Sequence, residues 1–138
     1  MSNLNELIRS KIEQSLFLKK KLLESKQTIA KIEKVVNLIV SCYKQNGKVF
    51  LCGNGGSAAD AQHLAAEFTG RFYLDRPPLF AEALHVNTSF ITAVANDYSY
   101  EEIYSRYLKG VGNKGDVLFA FSTSGNSKNV IKAIEYAL

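Results

Sequence analysis

Cysteine is scarce in this chain of 138 residues: Cys42 and Cys52 stand alone, with no Cys-x-x-Cys pair. That spacing excludes a disulfide framework, a cysteine-rich zinc site and a dithiol redox centre, and leaves two reduced thiols packed as small hydrophobes. Long hydrophobic runs are also missing. The longest apolar stretches, such as Val35 to Val40 and Val117 to Phe121, fall far short of the roughly 18 residues that a membrane-spanning helix needs. The opening segment Met1-Ser2-Asn3-Leu4-Asn5-Glu6 lacks the basic and apolar regions of a secretory leader. A cytoplasmic location with no membrane partner is therefore expected. No internal repeat or low-complexity segment interrupts the chain, and the two prolines sit side by side at Pro77-Pro78.

What is present suits one domain. Apolar residues make up 46% of the chain, enough for a core at this length. The net charge of +4 is uneven, since residues 1 to 48 carry ten Lys/Arg against four Glu and residues 49 to 138 carry seven against nine Asp/Glu. The basic excess thus belongs to the N-terminal part. Lys19-Lys20-Lys21 has no interleaved aromatics or nucleic-acid-binding motif around it and reads as a solvated helix face, so no nucleic-acid partner is expected.

Leu4, Leu7, Ile8, Ile12 and Leu16 recur at helical spacing, as do Ile29, Ile32, Val36, Ile39, Val40 and Tyr43, which predicts two N-terminal amphipathic helices. The first also carries Phe17, Leu18, Leu22 and Leu23, more apolar surface than one contact face covers, and this points to self-association. Asn46-Gly47 supplies a residue tolerant of left-handed backbone to end the second helix. Lys48 to Cys52, Leu79 to Leu84 and Val117 to Phe121 read as strands. Ser89 to Ala95, Tyr100 to Leu108 and Val130 to Leu138 read as helices, with Arg76-Pro77-Pro78 as a breaker and Asn113-Lys114-Gly115-Asp116 as a turn. Strand, loop and helix alternate after residue 47, which predicts an α/β fold on a parallel sheet with ligands at the carboxyl ends of the strands.

Two loops carry the candidate chemistry. Gly53-Asn54-Gly55-Gly56-Ser57 follows a strand and precedes a helix, where glycines let backbone N–H groups approach an oxyanion and the helix dipole favours negative charge. Ser122-Thr123-Ser124-Gly125-Asn126-Ser127 has the same context and offers four hydroxyls, which suits a phosphate monoester. Taken singly, each loop is equally an ordinary strand-to-helix turn, with Ser57 and Ser127 as N-caps and Asp60 completing a capping box with Ser57. Two such loops in one domain favour a small phosphorylated ligand. Neither is a dinucleotide fingerprint or a Walker loop with its lysine, which favours a sugar phosphate over a nucleotide.

His63 and Glu67 are four residues apart and share one face of the helix that follows the first loop. Their spacing fits metal ligands, acid–base groups or a paired surface couple. Glu67 is the candidate general base, because a carboxylate beside a polarised carbonyl can take a proton from the adjacent carbon, and burial would raise its pKa toward working pH. Asn96-Asp97 could bind sugar hydroxyls or form a turn. His85 reads as structural.

These residues closely resemble the sugar isomerase (SIS) domain family, in its heptose-phosphate isomerase branch, from about Leu4 to Leu138. The motifs that carry the resemblance are Cys52-Gly53-Asn54-Gly55-Gly56-Ser57, Asp60-Ala61-Gln62-His63, Glu67-Phe68-Thr69-Gly70-Arg71, Ala95-Asn96-Asp97 and Ser122-Thr123-Ser124-Gly125-Asn126-Ser127. The resemblance implies a flavodoxin-like parallel sheet flanked by helices, with an N-terminal helical hairpin, residues 1 to 46, used to form a homotetramer. It implies an aldose–ketose isomerase that converts sedoheptulose 7-phosphate to glycero-manno-heptose 7-phosphate through a cis-enediol, feeding nucleotide-activated heptose into lipopolysaccharide or capsule. Asn54, Gly55, Gly56, Ser57, Arg71, Asn96 and Asp97 would then meet the sugar, and Ser122, Thr123, Ser124 and Ser127 the phosphate. Glu67 would be the base, and His63 and Glu67 two ligands of a zinc ion. The alternative within the resemblance is a non-catalytic phosphosugar-binding or replication-initiator-associating protein. The initiator-assisting relative lacks a glutamate at the position of Glu67, so Glu67 favours the isomerase. A member acting on an aminohexose phosphate ranks last.

The chain stops at Tyr136-Ala137-Leu138 inside a helical pattern without a cap or glycine stop, which reads as a truncation. The resemblance implies two further strands, and a helix bearing a Gln and an acidic His that is also a metal ligand, beyond that point. The sheet would then lack its outer C-terminal strands and expose an edge. Little or no isomerase activity is expected from this chain alone, and comparing its turnover of sedoheptulose 7-phosphate with that of a longer relative checks the expectation.

Overall fold

A computed structural model describes residues 3–138. The chain divides into two compact units, one up to Leu38 and one from Ile39.

The first unit is helical. Asn3 opens helix α1 (Leu4–Glu24), its side chain accepting a hydrogen bond from the Asn5 N–H. Ser25 ends it and starts α2 (Lys26–Lys44). Its N–H donates to the Leu22 carbonyl, while its hydroxyl oxygen accepts from the Thr28 N–H at 3.2 Å. Serine suits both tasks because its short hydroxyl replaces a backbone partner at a helix start. No residue of α1 is buried. Leu16 is 62% exposed and Leu23 77%, so the apolar stripe seen in the sequence is uncovered in the single chain.

The second unit carries the α/β fold. Strands β1 (Val49–Cys52), β2 (Ala81–Ala83) and β3 (Val117–Ala120) form a parallel sheet in the order β2-β1-β3. Helices α3 (Gly56–Thr69), α4 (Thr88–Asp97), α5 (Ile103–Val111) and α6 (Lys128–Ala137) accompany it. β1 is buried at every position, which is why its sequence is a continuous apolar run rather than an alternation. Its residues still divide by face. Phe50 and Cys52 pack with Val94, Ile103, Tyr104, Leu108, Val130 and Ala133 of α4, α5 and α6. Val49 and Leu51 pack with Cys42, Ala61 and Ala65 of α2 and α3. Helices therefore cover both faces, and each fully buried Phe or Leu contributes roughly 1.5–3 kcal/mol.

The strands are one to three residues shorter than the periodicity predicts. The Lys48 N–H goes to Asp116 Oδ1 at 2.8 Å instead of a ladder carbonyl. The stretch expected as one helix from Tyr100 begins as a 3-10 turn over Tyr100–Glu102 before α5. Lys132 Nζ reaches Glu102 Oε1 at 2.6 Å and Glu101 Oε2 at 3.2 Å, and Lys128 reaches Glu101 at 3.0 Å, tying that turn to α6. These lysine hydrogen bonds hold both carboxyl groups below the usual glutamate range.

The expected helix stop after α2 is present, with Asn46 in the left-handed region at φ 59°. Gly47 serves a different need. A Cβ there would lie 2.6 Å from Cys42 Sγ and 3.0 Å from the Gly115 carbonyl oxygen. Gly47→Ala is expected to lower stability by about 1–3 kcal/mol through overpacking, while Asn46→Gly changes it little; urea unfolding of the two variants checks the contrast.

Candidate active site

Three helices follow the three parallel strands, and their starts differ. α4, after β2, is closed by Asn87, whose side chain accepts from the Phe90 N–H at 3.0 Å. α3, after β1, begins at Gly56 behind Gly55, with no side-chain cap. α6, after β3, begins behind Ser127, again with no side-chain cap. Ser127 thus stands at the expected N-cap position without a side-chain capping bond, and the N-cap of α3 is Gly55 rather than Ser57. Ser57 lies inside α3 rather than ahead of it, so no capping box with Asp60 closes the helix. Part of each first turn is satisfied internally, the Ser57 and Ala58 N–H groups by the Asn54 and Gly55 carbonyls and the Val130 N–H by Asn129 Oδ1, and the positive end of each helix dipole remains for another acceptor.

The loop geometry follows from the sequence. Gly55 has φ 56° with open space beside it, a backbone that side chains rarely adopt. The second loop turns at Gly125, φ 69°, and folds on its own hydroxyls. Ser122 Oγ accepts from the Gly125 N–H and Ser124 Oγ from the Asn126 N–H, both at 3.1 Å. Ser122 and Ser127 hydroxyls meet at 3.3 Å. Thr123 and Ser124 are exposed while Ser122 and Ser127 are half-buried, so hydroxyls on both sides of the turn are gathered at one strand end.

β1 and β3 are neighbours, and their carboxyl ends coincide through the pairing of Cys52 with Ala120. The two loops therefore stand side by side. Asn54 and Asn129 join them through two reciprocal amide hydrogen bonds of 2.8 Å. The Tyr104 phenol donates to the Gly53 carbonyl beneath the first loop, and burial pushes its pKa above the ordinary tyrosine value. Asn129, Tyr104 and Tyr100 escaped the sequence reading. Tyr100 and Tyr104 read only as part of a helix, and nothing local marked Asn129, whose partner lies 75 residues away.

On α3, His63 Nε2 lies 3.6 Å from Glu67 Oε1, with side-chain exposures of 75% and 29%. The pair shares one face as expected. Imidazole nitrogen and carboxylate oxygen are suitable zinc donors, but two donors are half of a tetrahedral set. The described residues contain no group of three or more His, Cys, Asp or Glu placed to hold a metal ion, so this pair alone does not close a zinc site.

Other expected residues are placed differently. Asn96 and Asp97 form the last turn of α4 rather than a loop, and Asn96 Nδ2 donates to Asp97 Oδ1 at 3.0 Å. Among the described residues no hydrogen bond links them to either cradle. Arg71 is exposed after α3. Arg76, read only as part of a helix breaker, instead donates to the carbonyls of Glu67 at 3.1 Å and Phe68 at 2.9 Å. Its cation sits at the negative end of α3. Burial pushes the Cys52 thiol up to about 12, which keeps this loop-adjacent sulfur protonated and inert. Burial lowers the His85 pKa below its ordinary value, and its Nδ1 is buried without a partner.

The SIS domain profile matches residues 16–138. Phosphoheptose isomerase 2 of Campylobacter jejuni is 46% identical over 136 residues, 99% of this chain and 68% of that protein. The chain belongs to the SIS domain family, among its phosphoheptose isomerases. The solved phosphoheptose isomerase of Francisella tularensis superposes with a TM-score of 0.90 at 36% identity, over 99% of this chain and 70% of that one. That of Neisseria gonorrhoeae gives 0.88 at 40% identity, over 98% and 69%. The chain thus spans about two thirds of the length of these family members.

Arg76→Ala is expected to cost roughly 1–3 kcal/mol, the worth of charge-assisted bonds to carbonyls. Arg71→Ala should stay within about 0.5 kcal/mol of the parent. Chemical unfolding of both variants separates a helix-capping arginine from an exposed one.

Proposed function

We propose that the chain binds a phosphorylated sugar and takes part in aldose–ketose isomerisation of sedoheptulose 7-phosphate. The observation that carries this is the pair of neighbouring helix starts whose N-cap residues make no side-chain bond, one behind a glycine loop and one behind a hydroxyl loop, at the carboxyl ends of β1 and β3. Crevices at that end of a parallel sheet are where α/β folds take ligands. Ser122, Thr123, Ser124 and Ser127 suit the phosphate, because hydroxyls and helix-start N–H groups satisfy its oxygens. Asn54, Gly55, Gly56 and Ser57 then meet the sugar end, with Arg71, Asn96 and Asp97 at its margin.

Glu67 is the proposed base. Its carboxylate takes a proton from C1 of the ketose, the C1–H electrons form the C1–C2 double bond, and the carbonyl oxygen on C2 gains a proton. The product of that step is a cis-enediol. Return of the carbon-bound proton to C2, with loss of the proton on O1, yields the aldose, D-glycero-D-manno-heptose 7-phosphate. A carboxylate positioned for such transfer contributes typically 10²–10⁴-fold. Names of relatives support the substrate, and the placement of Glu67 on the helix that leaves the first loop supports its role.

Zinc is part of the same proposal. His63 and Glu67 would supply two donors, with the rest coming from outside the described residues. When bound, such an ion polarises an oxygen of the substrate. The uncovered apolar stripe of α1 supports self-association, proposed as a homotetramer. No described helix is long and apolar enough to cross a membrane, and the proposed setting is the cytoplasm, in supply of heptose to a surface polysaccharide.

Calorimetric titration with sedoheptulose 7-phosphate, paired with hydrogen exchange at its C1 in deuterated water, tests the proposal. Ser122→Ala with Ser127→Ala should weaken binding at least about tenfold, the loss of one or two hydrogen bonds to a charged group. Glu67→Gln should abolish exchange with affinity within a few-fold. Binding without exchange in the parent would favour the non-catalytic role, and absence of binding would overturn the proposal.

A further inference from the structure

The side chain of Asn54 makes more hydrogen bonds inside the protein than a group presented to a ligand can spare. Its Nδ2 donates to Asn129 Oδ1, and its Oδ1 accepts from Asn129 Nδ2. The same Oδ1 accepts from the Tyr100 phenol at 3.4 Å, and the Tyr104 oxygen lies as near, with its single hydrogen given to the Gly53 carbonyl. An amide oxygen has two lone pairs and an amide nitrogen two hydrogens, so the oxygen is saturated and a single N–H is left. Asn129 is 3% exposed. Its Oδ1 also accepts from the Val130 N–H at 2.9 Å, so its acceptor is full as well.

We infer that Asn54 and Asn129 form an amide clasp that sets the separation of the glycine loop and the hydroxyl loop. Asn129 is then a positioning residue, and Asn54 serves a bound phosphosugar through its backbone and the clasp rather than by a side-chain grip on a sugar hydroxyl. The inference deepens the phosphosugar proposal and rests on it. Its physical basis is that a sugar phosphate spans both loops, so their spacing decides whether phosphate and carbonyl ends are held together. A misplacement of about 1 Å in such a site can cost on the order of 10²-fold in rate. The reciprocal bonds resist opening, since the buried Asn129 amide left unpaired meets its desolvation penalty. Tyr104 fixes the loop from below through Gly53, and the Lys132 contacts with Glu101 and Glu102 anchor the turn that carries Tyr100.

The test uses Asn54→Ala, Asn129→Ala and the double variant of the full chain. In urea unfolding, a clasp makes the effects non-additive: each single variant lowers the midpoint by a similar amount, and the double lowers it no further than the larger single. Additive shifts overturn the clasp. In calorimetry, Asn129→Ala should weaken sedoheptulose 7-phosphate by about tenfold and inorganic phosphate, which needs one loop only, by less than about twofold. Asn54→Ala should match it, and the double should bind no worse. If Asn54→Ala loses the sugar phosphate while Asn129→Ala binds like the parent, Asn54 grips the sugar directly and the inference falls. It also falls if Asn129→Ala weakens both ligands equally, which marks a local support of the hydroxyl loop. A parent that binds neither ligand removes the phosphosugar proposal instead, and the unfolding cycle then decides the clasp. Should a variant not fold, side-chain amide exchange in the parent decides: slow exchange at Asn54 and Asn129 supports the clasp, and exchange at free-amide rates overturns it.

Discussion

The parallel register of β1 between two neighbours is the constraint from which the rest follows. Val49 to Cys52 pair on one side with Val117 to Ala120, and Val49 to Leu51 on the other with Ala81 to Ala83. Because all three strands run the same way, the segments leaving them emerge at one end of the sheet. Cys52 accepts the Phe121 N–H and Leu51 accepts the Leu84 N–H at that end, so each chain departs within a residue of the others. An antiparallel strand in the place of β3 would carry the hydroxyl loop to the opposite end.

Charge has a secondary part in how this end of the sheet meets an anion. The basic excess of the chain lies in residues 1 to 48, and the remainder has more acidic than basic side chains. Lys128, the cation next to the hydroxyl loop, is paired with Glu101 at 3.0 Å. The other groups of the two loops are uncharged: hydroxyls, glycine-loop N–H groups and two helix starts. Such groups give directional recognition in a fixed geometry, which makes the spacing between loops more consequential than their net charge. The clasp between Asn54 and Asn129, the phenol of Tyr104 and the ion-pair cluster on α6 all bear on that spacing.

Much of this was legible in the chain. The apolar run at β1 and the strand–loop–helix alternation marked the α/β class, and glycine and serine clusters marked both loops. His63 and Glu67 were placed on one helical face by their spacing alone, and the motif set pointed to the SIS domain family. Other features were hidden for physical reasons. Asn96 and Asp97 continue α4 because its Asn87 cap and apolar face carry the helix through them. Arg76 looks like the flank of a proline break until its guanidinium is seen on the Glu67 and Phe68 carbonyls. Ser57 resembles an N-cap in sequence, yet the positive φ of Gly55 lets the helix start two residues earlier, at Gly56.

By itself, the sequence determined which segments form strands, which loops turn on glycine and which family they belong to, because those properties reside in neighbouring residues and their period. Tertiary structure alone decided that the loops stand together, that Asn129 answers Asn54 across 75 positions, and that Tyr104 is a strut as well as core. These are contacts between distant segments, and a side-chain amide acquires its role only when packing brings a second amide within reach.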